Sequence, residues 1–376
     1  MHLIQNQFQQ TDGSASSRRS LITFWLTVTF ALALVSLSSC TKGKNEKNIN
    51  KDLNVLVWTD YLSPEAIRAF EQEFGARVHY DTFSKNEDIL EWLTAGEKTY
   101  DVIFPSDYMI TELRRRKLLL PLNKEKLANI KNIDEKFAHL PADSEMEFCV
   151  PYSWGTTGIA VNTAKYSEEV KSWNIFWDEK LRGRLSLLDE ARSGFVPALR
   201  RLGLSVNTVD QEELRRAQAL LFEARDLMKA YTSDRYTELL RSREVWVAQA
   251  YSGDVVGFQR DYPSVQYILP EEGTELWVDN VCITKEAHNP ELAHALINFL
   301  LRPNIAADFT NGTGFPTANR EARQLIKPEI LANPAVYPPQ STLEKSEFLS
   351  DAGEANDLYD SYWHDAKLPP SMRQPQ

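Results

Sequence analysis

Cysteine and histidine are scarce in this chain, at three and six of 376 residues. No pair of histidines stands in H-E-x-x-H, and no Cys/His cluster has the spacing of a zinc site. Phosphate loops are missing too: "GDVVG" and "NGTG" have neither the G-x-G-x-x-G nor the P-loop spacing. "YSG" lacks the flanks of a nucleophile elbow. An excess of positive charge is also absent. Lys and Arg number 42 against 53 Asp and Glu, a formal net charge of −11, whereas nucleic-acid partners are usually basic. Internal repeats and low-complexity segments are lacking. These absences argue against an enzyme, so no catalytic residue, cofactor or metal is expected, and nucleic acid is not an expected partner.

What is present is ordinary for a folded protein: 43% hydrophobic and 25% charged residues. The length exceeds one small core and suggests two lobes. Arg18 and Arg19 precede an apolar run from Leu21 to Val35, and "LSSC" ends at Cys40. This reads as a secretory signal over residues 1–39 of lipoprotein type, with Cys40 lipidated as the first mature residue. A permanent anchor is the alternative, since Leu21 to Ser39 is nearly long enough to span a bilayer. Either way the remainder lies outside the cytoplasm, in the periplasm or on the outer cell surface. Residues 40–52 are polar and charged and read as a tether; residues 367–376 read as a disordered tail. Cys149 and Cys282 sit in strand-like stretches and could pair or remain as buried thiols.

Beyond the tether, strands and helices alternate. "LNVLVW" is followed by "SPEAIRAFEQEFG", with Ser63 as N-cap, Pro64 in the first turn and Gly75 past the end. "RVHYDTF", "NEDILEWLTAG" and "YDVIFPSDY" continue a β-α-β-α-β order that implies a parallel sheet with helices on both faces. "EFCVPYSWGTTGIAVN" (147–162) reads as a crossing strand into a second lobe, and "ELWVDNVCIT" (275–284) as the return. The expected division is 53–150 with 280–315 for the first lobe and 151–279 with 316–366 for the second.

Such lobes bind ligands at the carboxyl ends of their strands. Those ends carry Trp58, Thr59, Asp60 and Tyr61; Ser106, Asp107 and Tyr108; Asp189, Glu190 and Ser193; Tyr251 and Asp254; and Trp277 and Asp279. Every place offers a carboxylate, and all but "LLDEARS" pair it with an aromatic. An alkyl diamine is charged at both ends at neutral pH. Holding it takes carboxylates at its ends and ring faces along its methylenes, each cation–π contact contributing roughly 0.5–2 kcal/mol. Each residue also has a plainer reading: Trp58, Tyr61 and Trp277 as core, Asp60, Asp254 and Asp279 as caps or turn acids, Ser106 and Tyr108 as a turn, Glu190 as a solvated side chain.

The stretches "VWTDYLSPE", "YDVIFPSDY", "VPYSWGTTGIAVN", "FWDEKLRGRLSLLDEAR", "ILPEEGTELWVDNVCIT", "INFLLRP" and "GFPTAN" together resemble the spermidine/putrescine-binding proteins of bacterial ABC importers. The resemblance covers nearly all of the mature chain. It implies an α/β, two-lobed periplasmic-binding-protein fold of type II-like form, each lobe a mixed sheet flanked by helices with the ligand cleft between. It implies a monomer that closes on putrescine or spermidine and delivers it to an ABC permease; a sensor docking on a membrane receptor would use the same cleft. The family's aromatic box falls on Trp58, Tyr61, Tyr108 and Trp277, and its acids on Asp60, Glu190 and Asp279. Asp254 and Tyr251 match the putrescine-preferring pattern, and Thr59 and Ser106 its hydroxyl or backbone contacts. Ser193 stands where a glutamate is usual, Phe315 where a tyrosine is, and Leu349 where spermidine binders have a glutamine. These departures lean the expectation towards the diamine.

Overall fold

The computed structural model describes residues 51–96 and 98–368. The expected signal segment, Cys40, the tether to residue 50 and the tail from 369 onward lie outside the described residues. The first strand, β1, spans Asp52–Trp58, and its buried Leu53, Val55, Leu56 and Val57 explain its apolar run. Helix Pro64–Phe74 begins as its sequence predicts: the Ser63 hydroxyl accepts from the Ala66 N–H at 3.1 Å. It ends at Gly75, whose φ of +60° is a left-handed position that glycine takes without penalty.

The remaining strands are β2 (Arg77–Phe83), β3 (Val102–Ile103), β4 (Cys149–Asn162), β5 (Leu185–Leu187), β6 (Met228–Tyr231), β7 (Val247–Tyr251), β8 (Val265–Ile268), β9 (Glu275–Ile283) and β10 (Glu347–Phe348). Their order is β2-β1-β3-β9-β4-β7-β5-β6, with β8 added on β4 and β10 on β9. Pairing is parallel across β2-β1-β3, as the alternation predicts. It turns antiparallel at β9 and β4, so the sheet is mixed. β2 is an edge strand; of its seven residues only Phe83 is buried, and Tyr80 is 45% exposed.

β4 organises the molecule. Its Cys149–Thr156 part pairs with β9, while Thr157–Asn162 pairs with β7 and β8. All fourteen residues are buried, as expected of a strand covered on both faces. One core cluster gathers Val55, Phe70, Phe104, Val281 and Ile297 around the β1-β3-β9 region. Another gathers Leu185, Phe195, Leu214, Tyr359 and Trp363, and runs on to Leu56 and Ile103. β4 and β9, the two strands expected as crossings, run side by side, and β4 contributes to both clusters. Cys149 and Cys282 face each other across those crossings and form a disulfide, with Cα atoms 4.4 Å apart. Helix Ala355–Lys367 is the last of the described chain, and Lys367, the first residue of the segment expected to be a tail, pairs with Asp189.

Candidate functional site

Asp279 is the acid held by two hydroxyls. It is 4% exposed, on β9, and Ser106 meets it through a single bridge between the two backbones. The Ser106 hydroxyl donates to Asp279 Oδ1 at 2.6 Å and the Tyr61 hydroxyl to Oδ2 at 2.5 Å. Ser106 is itself held: Asn86 Nδ2 donates to its hydroxyl at 3.0 Å, and its N–H donates to Asn86 Oδ1 at 2.9 Å. Burial pushes the Asp279 carboxyl up to about 6, partly offset by these two hydroxyl donors.

Tyr61 reaches Asp279 because of the turn after β1. Its N–H bonds the Trp58 carbonyl at 3.2 Å, and Asp60 takes a φ of +65°, a region Asp tolerates better than most residues. The turn leaves Thr59 and Asp60 exposed while Tyr61 points inward. Asp60 does not cap the following helix, a role Ser63 fills. Its charge acts on Asp254 instead.

Asp254 stands in the first turn of helix Ser252–Gln259 and accepts from the Tyr236 hydroxyl, which in turn receives the Tyr251 N–H at 3.3 Å. Burial raises its carboxyl to about 6, with Tyr236 opposing and Asp60 adding to the rise. Glu190 sits at the N-cap of helix Ala191–Arg201 but makes no side-chain cap bond. Its Oε1 instead receives the Tyr251 hydroxyl at 2.5 Å. Burial, and then the charge of Glu87, push it up to about 8.

Rings connect these acids. Tyr251 meets Trp277 edge-on at 6.0 Å, Trp277 meets Phe315 at 5.7 Å, and Phe315 meets Tyr61 at 5.4 Å. Two glycines admit them. A Cβ on Gly155 would lie 2.2 Å from Trp277, and one on Gly253 would lie 2.1 Å from Phe315. Trp58 stands apart from this chain of rings and packs on Phe83 at 4.3 Å. Tyr108 is buried in the same cluster as Phe83, within the field of Glu87 and Glu190. The indole N–H groups of Trp58 and Trp277 are buried with no hydrogen-bond partner among the described residues.

The neighbouring acids have other duties. Asp189 bonds Lys85 at 3.1 Å and also pairs with Lys367. Asp107 faces Asp143 and Asn280, on the opposite face of β9 from Asp279, and is pushed up to about 7 by burial first and Asp143 next. By contrast, among the described residues no lysine, arginine or histidine forms an ion pair with Glu190, Asp254 or Asp279. An open cavity of about 350 Å³ lies over Lys85, Asp189, Thr232 and Arg235. None of the expected ligand residues lines it.

Three participants escaped the sequence reading. Tyr236 and Asn86 hold acids or hydroxyls in place from positions with no local signal. Glu275 was legible in principle: Glu275, Trp277 and Asp279 alternate along β9 and so share one face.

The family of bacterial extracellular solute-binding proteins covers residues 65–338. The chain belongs to that family. It is 33% identical over 320 residues to the spermidine/putrescine-binding periplasmic protein of Salmonella typhimurium, covering 85% of this chain and 92% of that one. It is 30% identical to a putrescine/cadaverine-binding protein of Pseudomonas aeruginosa, over 85% and 94% of the two chains. The TpPotD lipoprotein of Treponema pallidum superposes with a TM-score of 0.77 at 31% identity, covering 84% of this chain and 99% of its own. The spermidine/putrescine ABC transporter substrate-binding protein PotD of Streptococcus pneumoniae gives 0.72 at 30%, over 83% and 99%. These relatives are substrate-binding transport proteins, and this solute-binding protein is likewise not an enzyme.

Proposed function

We propose that this solute-binding protein takes up a polyamine outside the cytoplasm, putrescine in preference to spermidine, and hands it to an ABC permease. One observation carries the reading: Asp279 and Glu190 are buried and Asp254 is half-buried, each is held by a tyrosine hydroxyl, and none has a cation among the described residues. Buried carboxylates without a counter-charge are costly, and a dication with ring-compatible methylenes relieves that cost. Asp279 and Asp254 serve one portion of the ligand and Glu190 the other, with Trp277, Phe315 and Tyr61 alongside the chain. Trp58, Tyr108 and the exposed Thr59 and Asp60 close the mouth. The lobes are 53–150 with 280–315 and 151–279 with 316–366, which swing on β4 and β9; a ligand shifts that balance by its differential affinity for the closed form. Lipidated Cys40 keeps the monomer at the membrane. The relatives' binding of spermidine, putrescine or cadaverine supports the ligand class, and Asp254 supports the diamine.

A thermal-shift and calorimetry panel of putrescine, spermidine, cadaverine, agmatine and arginine tests this. Putrescine at 100 times its dissociation constant should stabilise the protein by about 2.7 kcal/mol. If no polyamine raises the melting temperature, the reading fails.

A further inference from the structure

Glu275 is fully buried, yet only half of its carboxylate is satisfied. Thr157 Oγ1 donates to Oε1 at 2.5 Å. Oε2 makes no hydrogen bond among the described residues, although the Ser193 hydroxyl, like that of Thr157, opposes the rise that burial gives the carboxyl. The strand register accounts for the first contact: Thr156 opposes Leu276 and Gly155 opposes Trp277, which sets Thr157 across from Glu275. The same alternation puts Glu275 on the β9 face that carries Trp277 and Asp279. Arg192 is the cation whose field reaches it, but that guanidinium donates to Ser350 O, Asn207 Oδ1 and Asn356 Oδ1, and it forms no ion pair with Glu275.

A buried carboxylate oxygen with no donor is expensive, and natural cores rarely retain one without a use. Its surroundings point to that use. Glu190 and Tyr251 both feel the charge of Glu275, and Tyr251 stands edge-on to Trp277. The Tyr251 hydroxyl is already given to Glu190, so it leaves Oε2 unsatisfied. We propose that Glu275 is a ligand-binding carboxylate that joins Glu190 on one terminal primary ammonium of the bound polyamine. A primary ammonium carries three donors pointing in different directions and can bridge two acids; a tertiary ammonium carries a single donor and cannot. Two carboxylates within each other's field repel until a cation arrives between them, so the pair would discriminate by donor number as well as by charge. This inference rests on the polyamine reading and assigns an acid that the ligand residues expected from the sequence do not include.

The test is calorimetry on the purified protein and its Glu275→Gln variant with putrescine and with N,N,N′,N′-tetramethylputrescine, together with ligand-free melting temperatures. Glu275→Gln should weaken putrescine at least tenfold and change the tetramethyl compound less than threefold, and the ligand-free melting temperature should hold or rise. A Glu275 that serves only the fold gives the reverse, a lower melting temperature with putrescine affinity unchanged, and that outcome overturns the proposal. Equal losses for both ligands overturn it too. Should the glutamine variant not fold, Glu275→Asp withdraws the carboxylate by one methylene and should cost at least threefold in putrescine affinity; no change would count against it. If the unaltered protein binds no polyamine, the proposed function and this inference fall together, whereas binding that survives Glu275→Gln removes this inference alone.

Discussion

Tyr61 and Asp279 stand 218 residues apart in the chain and meet through a 2.5 Å hydrogen bond. The contact ties the turn after the first strand to the return crossing. It also fixes the orientation of a carboxylate that has no counter-ion among the described residues. With Ser106 on the other oxygen, each Asp279 oxygen accepts one hydroxyl.

That arrangement makes Asp279 the residue whose neutralisation should hurt binding most. Asp279→Asn is expected to weaken putrescine about 100-fold, near 3 kcal/mol, because a buried charge-assisted contact is lost. Asp189→Asn, whose carboxylate belongs to Lys85 and Lys367, should change affinity less than about threefold. Calorimetry of the two variants side by side checks this, and similar losses would show that Asp279 is not the anchor.

Affinity should rise with pH. Asp254 and Asp279 are raised to about 6 and Glu190 to about 8. The native protein therefore holds protons that the unfolded chain has already released above about pH 4. The contribution of these groups to ligand-free stability falls as pH climbs from about 4 to 6 for the aspartates, and on to about 8 for the glutamate. Binding a cation needs the ionised forms and so runs the other way. Putrescine should bind more tightly at pH 8 than at pH 5.5 and release protons at pH 7, measured by calorimetry in two buffers of different ionisation heat. A flat profile would remove these acids from the site.

Gly253 offers a purely steric test. A methyl there would meet the Phe315 ring at 2.1 Å, displacing a ring packed on both Tyr61 and Trp277. Gly253→Ala should lower putrescine affinity at least tenfold, while the circular-dichroism spectrum stays that of the parent. Unaltered affinity would mean that Phe315 is not part of the wall.

The disulfide spans 133 residues of sequence. Loop-closure entropy gives such a crosslink a contribution of about 2–5 kcal/mol. The Cys149→Ser, Cys282→Ser double variant should unfold at correspondingly lower urea concentration, and reductant should shift the parent protein to match it. Overlapping denaturation curves would argue that the bond adds nothing.

Periodicity and caps read the frame well: β1, the Ser63-capped helix and the long strands β4 and β9 lie where apolar runs and turn residues put them. The antiparallel return of β9 between β3 and β4 was not legible, because register depends on contacts made far along the chain. The same division holds for the acids. Their positions at strand ends were visible, but Asp189 and Glu190 are adjacent and do opposite work. Which of them is buried without a cation depends on Lys85, Lys367 and Tyr251, each remote in sequence. Phe83 as the partner of Trp58, and Tyr236 as that of Asp254, were hidden for the same reason.

Welding Cys149 to Cys282 turns the two crossings into one double-railed ribbon. Neither rail can slide lengthwise past the other, so any motion of the ribbon must be a shared bend or twist. Trp277 therefore keeps its seat over Gly155 throughout any such bend.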